Sequence, residues 1–361
     1  MKEGLRFTET CFSDGRRLYY PPETTEKGAV MQRITGESCI FIGEAPAKLL
    51  FRPEGPVRLG NPVTGRVYRE NIDFTVDRTA GTVARTRGSA IPFLRERDLY
   101  PAENVSYYPA ADANAIPGGP GGRNLRFDAK LFFAEQQAEA DYETPAPDWP
   151  EEFFRRSPYL AQTPEIRRMV ALGDSITEGY NASGYIGGPP RRPPYAGLTA
   201  QALGAELFNL GRNGASVDLF ESLIGRTVEL RPDLVTVAYG MNDLTRYSAE
   251  QYLEKIASGV GKLRRELPRA LIAVISPMSG NPEWSRTPVE KTLAFAEALS
   301  RWTAHERIVF ADVSAVWEFV LERKGFFSLT GNGVNHPNDF GHFLYAKTVL
   351  AALGRQFPPA E

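Results

Sequence analysis

Few side chains in this chain can act as a base. Of its 361 residues only three are histidines and two are cysteines. An imidazole base must therefore come from His305, His336 or His342, and a cysteine-built zinc site is excluded. Ser175 stands in Gly173-Asp174-Ser175-Ile176-Thr177-Glu178-Gly179, directly after the apolar run Arg167–Leu172. A serine at such a strand-to-helix turn sits near backbone N–H groups that favour negative charge, and serves either as nucleophile or as a plain N-cap. Asn209–Gly214 follows a second apolar run; its glycines either let an N–H approach a ligand or make a tight turn. Gly240-Met241-Asn242-Asp243 follows a third, and its Asn242 amide can donate to an oxyanion or form a turn. Near the C-terminus, Asn332–His342 carries two of the three histidines. His336 precedes Pro337, so its backbone is extended and it projects from a loop. His342 reads as a solvated histidine on the last helix, and His305 as a solvated or capping one. No cluster has metal-ligand spacing, so neither a metal nor a cofactor is expected.

The elements that must hold these residues alternate after residue 166. Apolar runs at Arg167–Leu172, Leu207–Leu210, Leu234–Tyr239, Leu271–Ile275 and Ile308–Ala311 are separated by helical patterns over Tyr195–Leu207, Val217–Leu230, Ala249–Leu267 and Pro288–Thr303. Helices over Ser314–Arg323 and Asp339–Leu353 follow. Buried strands spaced by helices imply an α/β fold with a doubly wound parallel sheet in three layers, whose ligand site lies beyond the strands' carboxyl ends.

The first half reads differently. Short β-rich runs are broken by Gly, Pro and Asn, with a hairpin over Phe74–Thr86 turning at Ala80-Gly81 and a long Gly/Pro loop over Ala110–Arg123. That rhythm predicts a β-sandwich domain over residues 1–145, a Pro-rich linker over 146–166 and an α/β domain over 167–361. A net charge of −2, from 42 Lys and Arg against 44 Asp and Glu, supplies no basic field for nucleic acid. No run approaches the roughly 20 apolar residues of a membrane span. Cys11 and Cys39 are expected as unpaired thiols. As it stands the sequence shows no signal peptide, giving the expectation of a cytoplasmic protein, or a secreted one if a leader has been trimmed.

Taken together and in this order, the four blocks resemble the SGNH (GDSL-type) hydrolase superfamily, over Arg167–Glu361. The resemblance implies a flavodoxin-like sheet with Ser175 as nucleophile and His336 as general base. It implies an oxyanion hole made by the N–H groups of Ser175 and Gly214 and the Asn242 side chain. Most members carry an acid three residues before the histidine; that position here is Gly333. The expected arrangement is a Ser–His dyad whose imidazole is held by a backbone carbonyl. Asn332 can take part if the loop bulges, and Asp339 more naturally caps the last helix. Activity is then expected to rise with pH through the ordinary imidazole value of about 6.5.

The two-part architecture is similar to carbohydrate esterase family two and related sugar O-deacetylases. It implies a serine esterase acting through an acyl-enzyme on short-chain O-acyl, chiefly O-acetyl, esters of a small molecule or oligosaccharide. Tyr180, Tyr185 and Tyr195, in the long loop after Ser175, are candidate substrate-rim residues; Arg191 and Arg192 in that loop read as a solvated pair. No amphipathic lid stands out there. Another acyl-ester hydrolase on the same scaffold (arylesterase, thioesterase or lysophospholipase) and a non-catalytic carbohydrate-binding protein are the alternatives.

Overall fold

In the computed structural model, residues 23–24, 30–102, 114–128, 130–145 and 148–357 are described. Cys11 and residues 110–113 of the expected Gly/Pro loop lie outside them.

Five strands in the second half form one parallel sheet, ordered Glu206–Asn209, Arg168–Gly173, Leu234–Ala238, Leu271–Ile275, Val309–Ala311. Apart from the half-buried edge strand Glu206–Asn209, their apolar runs are mostly buried, as a sheet covered on both faces requires. Ala171 pairs with both Asn209 and Thr236, and Gly173 with Ala238. Three carboxyl ends therefore finish level, and deliver Ser175, Asn209–Gly214 and Gly240–Asn242 to one edge. The helices pack in two groups: Tyr195–Leu203, Val313–Lys324 and Asp339–Ala352, and Phe220–Leu230, Ala249–Glu266 and Val289–Glu306. The helix starting at Tyr195 ends at Leu203, four residues before the expected Leu207, because the edge strand already begins at Glu206.

In the first half an antiparallel sheet is ordered Glu23–Thr24, Val30–Ile40, Gln137–Pro145, Glu54–Gly60, Val67–Tyr68. A second joins Ala47–Lys48, Thr82–Arg85 and Phe74–Asp77, the last two forming the expected hairpin, with Thr75 opposite Ala84. The central strand Gln137–Pro145 escapes a sequence reading because alternating Ala with Gln, Glu and Asp suggests helix rather than strand. Ala115–Ile116, within the expected long loop, pairs with Leu125–Arg126.

The two halves share one apolar core, in which Phe41 and Tyr142 belong to the same cluster as Val170, Trp317 and Phe343. A smaller cluster places Ile116, Leu125 and Phe127 against Val334, two residues from His336. Polar groups also cross between the halves. Glu37 and Lys324, neither with an exposed side chain, form an ion pair. The Glu37 carboxylate also accepts from the Tyr142 hydroxyl (2.6 Å) and the Leu50 N–H (2.8 Å), while Lys324 Nζ donates to the Lys48 carbonyl (2.8 Å). Cys39, beside this pair, is buried without a disulfide, and burial pushes its thiol up to about 11. No helix among the described residues is long and apolar enough to cross a membrane.

Removing one partner of a buried, hydrogen-bonded ion pair strands the other charge, at a cost of about 3–5 kcal/mol. Lys324→Met is accordingly expected to lower urea-unfolding stability by about that amount. Adding Glu37→Gln should recover much of the loss. A single variant as stable as the parent would show that the pair does not hold the halves together.

Candidate active site

Asp174 ends the first strand turn and accepts the Ile176 N–H with its carboxylate (2.9 Å), capping a one-turn helix whose first residue is Ser175. Burial pushes the Asp174 carboxyl up to about 7, against the pull of that N–H. The cap directs the Ser175 hydroxyl toward the C-terminal loop, where Oγ lies 2.8 Å from His336 Nε2. Both residues are buried.

The other imidazole nitrogen decides how the histidine is held. His336 Nδ1 lies 2.8 Å from Asn181 Oδ1. Asn181 Nδ2 points to the carbonyls of Gly331 (3.3 Å) and Asp128 (3.5 Å), so the amide oxygen faces the ring. Nδ1 must then carry the hydrogen, leaving Nε2 unprotonated toward Ser175. Asn181 adopts φ +64°, a conformation that asparagine tolerates better than most side chains. The expected backbone carbonyl is thus replaced by a side-chain amide, from a residue six positions after Ser175 that no motif marks.

The structure also shows why the usual acid position is empty. Gly333 has φ +90°, and a Cβ there would run into the Arg126 carbonyl and lie 2.8 Å from the Phe133 ring. The first half occupies the space an aspartate would need.

Neither of the other candidates orients the ring. Asn332 Oδ1 accepts the N–H groups of Val334, Asn335 and His336, each at 3.0 Å, and so shapes the loop backbone. Asp339 neither reaches His336 nor caps the last helix: Asn338 does the capping, through the Gly341 N–H. Asp339 Oδ1 instead accepts the Ser183 N–H (2.8 Å). Arg192, expected in solvent, is buried, with two nitrogens on the Glu139 carboxylate and one 3.9 Å from Asp339. These partners, remote in sequence, pin the loop that carries Asn181.

His342 is also buried rather than solvated. Its Nδ1 accepts the Tyr195 N–H and its Nε2 donates to the Tyr180 carbonyl, both at 3.3 Å, which anchors the residue preceding Asn181. His305 is exposed, as expected. Burial, with a smaller contribution from His342, pushes His336 down to about 3, and burial pushes His342 down to about 4. Without a carboxylate beside it, the His336 ring stays neutral well below the ordinary imidazole value.

The remaining blocks are laced to the Ser175 turn. Asn209 Nδ2 donates to the Thr177 carbonyl (2.7 Å), and the Glu178 carboxylate accepts the Asn213 N–H (2.6 Å). Gly214 has φ +70°, with open space where a side chain would stand. One Asn242 amide hydrogen goes to the Ala215 carbonyl (2.9 Å), leaving the second for another acceptor.

Two of the three rim tyrosines lie at the site. The Tyr180 ring is 5.5 Å from that of His336, and Tyr185, 41% exposed, packs on Tyr180 at 4.9 Å and donates to Glu178. Tyr195 does not: it is fully buried, its hydroxyl 2.7 Å from Thr177 Oγ1.

With this geometry in view, the chain can be set beside known proteins. Among curated proteins, no sequence matches the chain. Among solved structures, it is similar to a lipolytic G-D-S-L family protein of Veillonella parvula (17% identity, 52% of this chain and 99% of that one, TM-score 0.44). It is similar to an acetylxylan esterase of Geobacillus stearothermophilus (19%, 54% and 97%, TM-score 0.43). It is also similar to a GDSL-like lipase homologue of Parabacteroides merdae (18%, 57% and 99%, TM-score 0.44). Residues 171–344 match the model of the GDSL-like lipase/acylhydrolase family.

Proposed function

We propose that the protein is a serine esterase that hydrolyses short-chain O-acyl esters, chiefly O-acetyl groups on carbohydrate, with the β-sheet half acting as a β-sandwich accessory unit. The observation that carries this is the Ser175–His336–Asn181 chain, with a 2.8 Å contact on each side of the imidazole. His336 Nε2 removes the Ser175 proton as Oγ attacks the ester carbonyl. The N–H groups of Ser175 and Gly214 and the remaining Asn242 amide hydrogen receive the oxyanion. The imidazolium returns its proton to the leaving alcohol, and water, activated by the same base, cleaves the acyl-enzyme. Asn181 holds the tautomer throughout but offers the imidazolium a dipole rather than a charge.

A short acyl group suits the surroundings. The Tyr180–Tyr185 pair walls the site beside His336, and a flat aromatic face is suited to a sugar ring. The large apolar side chains exposed among the described residues are Val67, Ile72, Tyr185 and Leu293; these scattered positions offer no patch for a lipid surface.

Ser175→Ala and His336→Ala are each expected to reduce hydrolysis of p-nitrophenyl acetate to about background, with the thermal melt within a few degrees of the parent. More than a few per cent residual activity in Ser175→Ala would place the nucleophile elsewhere. Along a p-nitrophenyl ester series, kcat/KM should fall steadily beyond acetate and propionate. A maximum at octanoate would overturn the short-chain assignment.

Asn181→Ala should cost about 10²–10⁴ in kcat, through loss of the correct tautomer, with KM little changed. The acid limb of kcat/KM should lie below the ordinary imidazole value of about 6.5, because His336 is pushed down to about 3. Asn181→Asp sets a carboxylate against the ring, favours imidazolium, and should move that limb upward by about 1 unit or more. An unmoved limb in this variant would remove Asn181 from contact with the base.

A further inference from the structure

Glu178 is the last residue of the one-turn helix that begins at Ser175, and its side chain is half-buried. The two oxygens of its carboxylate serve different elements. Oε2 accepts the Asn213 N–H at 2.6 Å, and Oε1 accepts the Tyr185 hydroxyl at 2.8 Å. One side chain therefore joins the Ser175 turn, the residue before Gly214 and the rim tyrosine that packs on Tyr180.

The contact to Asn213 is the last of a series that seats residues 209–213 against that turn. The Asn209 amide donates to the Thr177 carbonyl (2.7 Å), and the Arg212 N–H to the Gly173 carbonyl (3.2 Å). Gly211 lies flush with the turn: a Cβ there would run into the Glu178 backbone nitrogen. Beyond Asn213 the chain turns left-handed at Gly214 (φ +70°), whose N–H meets no acceptor among the described residues. Glycine has the widest backbone freedom of any residue, and Gly214 has no side chain to wedge it in place. The direction of its N–H is therefore set by its flanks. Asn242 holds the following residue through the Ala215 carbonyl (2.9 Å), and Glu178 holds the preceding one. A short bond from an N–H to a carboxylate belongs to the stronger, charge-assisted class.

We infer that Glu178 is a positioning residue for the hydrolysis proposed above: it holds the Gly214 N–H toward the oxyanion and ties that donor to Tyr185 at the rim. The inference rests on Ser175 being the nucleophile, and not on the identity of the acyl group or the alcohol. The two contacts call for acceptor position rather than charge, since a negative charge so near a developing oxyanion opposes it. A glutamine meets both partners: its oxygen accepts the Asn213 N–H while its NH₂ donates to the Tyr185 hydroxyl oxygen. A side chain that merely glued the fold would act on stability, whereas this one acts on the transition state.

The test is steady-state kinetics of the full chain on p-nitrophenyl acetate, with phenylboronic acid as a second probe. The boronate adduct on a serine places a tetrahedral oxygen where the oxyanion forms. Glu178→Ala is expected to lower kcat about 10- to 100-fold, less than outright loss of an oxyanion donor, with KM within about threefold. The inhibition constant of phenylboronic acid should rise by about the same factor as kcat falls. Glu178→Gln should stay within about threefold of the parent in both measurements. Glu178→Met keeps the length without an acceptor, and serves if Glu178→Ala fails to fold. Tyr185→Phe should lower kcat about threefold to tenfold and add nothing in the Glu178→Ala background, because its hydroxyl acts through Glu178. Parent-like kcat in folded Glu178→Ala or Glu178→Met, boronate affinity that does not follow kcat, Glu178→Gln no better than Glu178→Ala, or losses that multiply in the double variant would each overturn the inference. Activity surviving in Ser175→Ala would instead remove the nucleophile, whereas a Ser175-dependent enzyme with parent-like Glu178→Ala leaves that reading standing.

Discussion

The proposed catalytic arrangement depends on one hydrogen bond, from His336 Nδ1 to Asn181 Oδ1. A neutral imidazole has one donor and one acceptor, and only the tautomer with hydrogen on Nδ1 presents a lone pair to Ser175. Whatever accepts from Nδ1 therefore decides whether the serine has a base at all. In this chain the acceptor is neutral, and that single substitution of dipole for charge lets burial dominate the ring's titration. The proposed base, His336, is thereby held neutral in acid, and gives up the stabilisation of imidazolium that a carboxylate would supply.

The choice of acceptor follows from how the two halves are joined. Phe133 and the Arg126 carbonyl fill the volume beside Gly333. The same segment supplies the Asp128 carbonyl that helps aim the Asn181 amide, and the Asp128 N–H that holds the Asn332 carbonyl at 3.1 Å. Gln137 reaches the Thr330 carbonyl and receives the Asn338 amide, each at 3.0 Å. The β-rich half is thus part of the scaffold that shapes the histidine loop, and the shared core and the Glu37–Lys324 pair keep it seated.

Much of the second half was legible in the sequence because its information is local. Runs such as Leu271–Ile275 are buried on both faces and read as strands wherever they occur, and Gly173-Asp174-Ser175 and His336-Pro337 carry their chemistry in adjacent residues. What was hidden depends on contacts distant along the chain. Asn181 is an ordinary loop asparagine until Asp128, Gly331 and His336 surround it. Arg192 and His342 look solvated until Glu139 and the Tyr180 carbonyl are placed beside them. The strand Gln137–Pro145 is concealed by its small and acidic residues, whose inward positions are filled by Ala138, Ala140 and Tyr142.

The tautomer of His336 is the most direct observable. His336 and His342 are held in opposite forms, hydrogen on Nδ1 in the first and on Nε2 in the second, while His305 is exposed. Long-range ¹H–¹⁵N correlation spectra of imidazole-labelled protein, assigned with His305→Gln and His342→Gln, separate these states. Between about pH 5 and 7 the His336 ring is expected to be neutral with its hydrogen on Nδ1, a state that Asn181→Leu disperses. A His336 ring that is imidazolium across that range, or neutral with its hydrogen on Nε2, would contradict the neutral Asn181-held base.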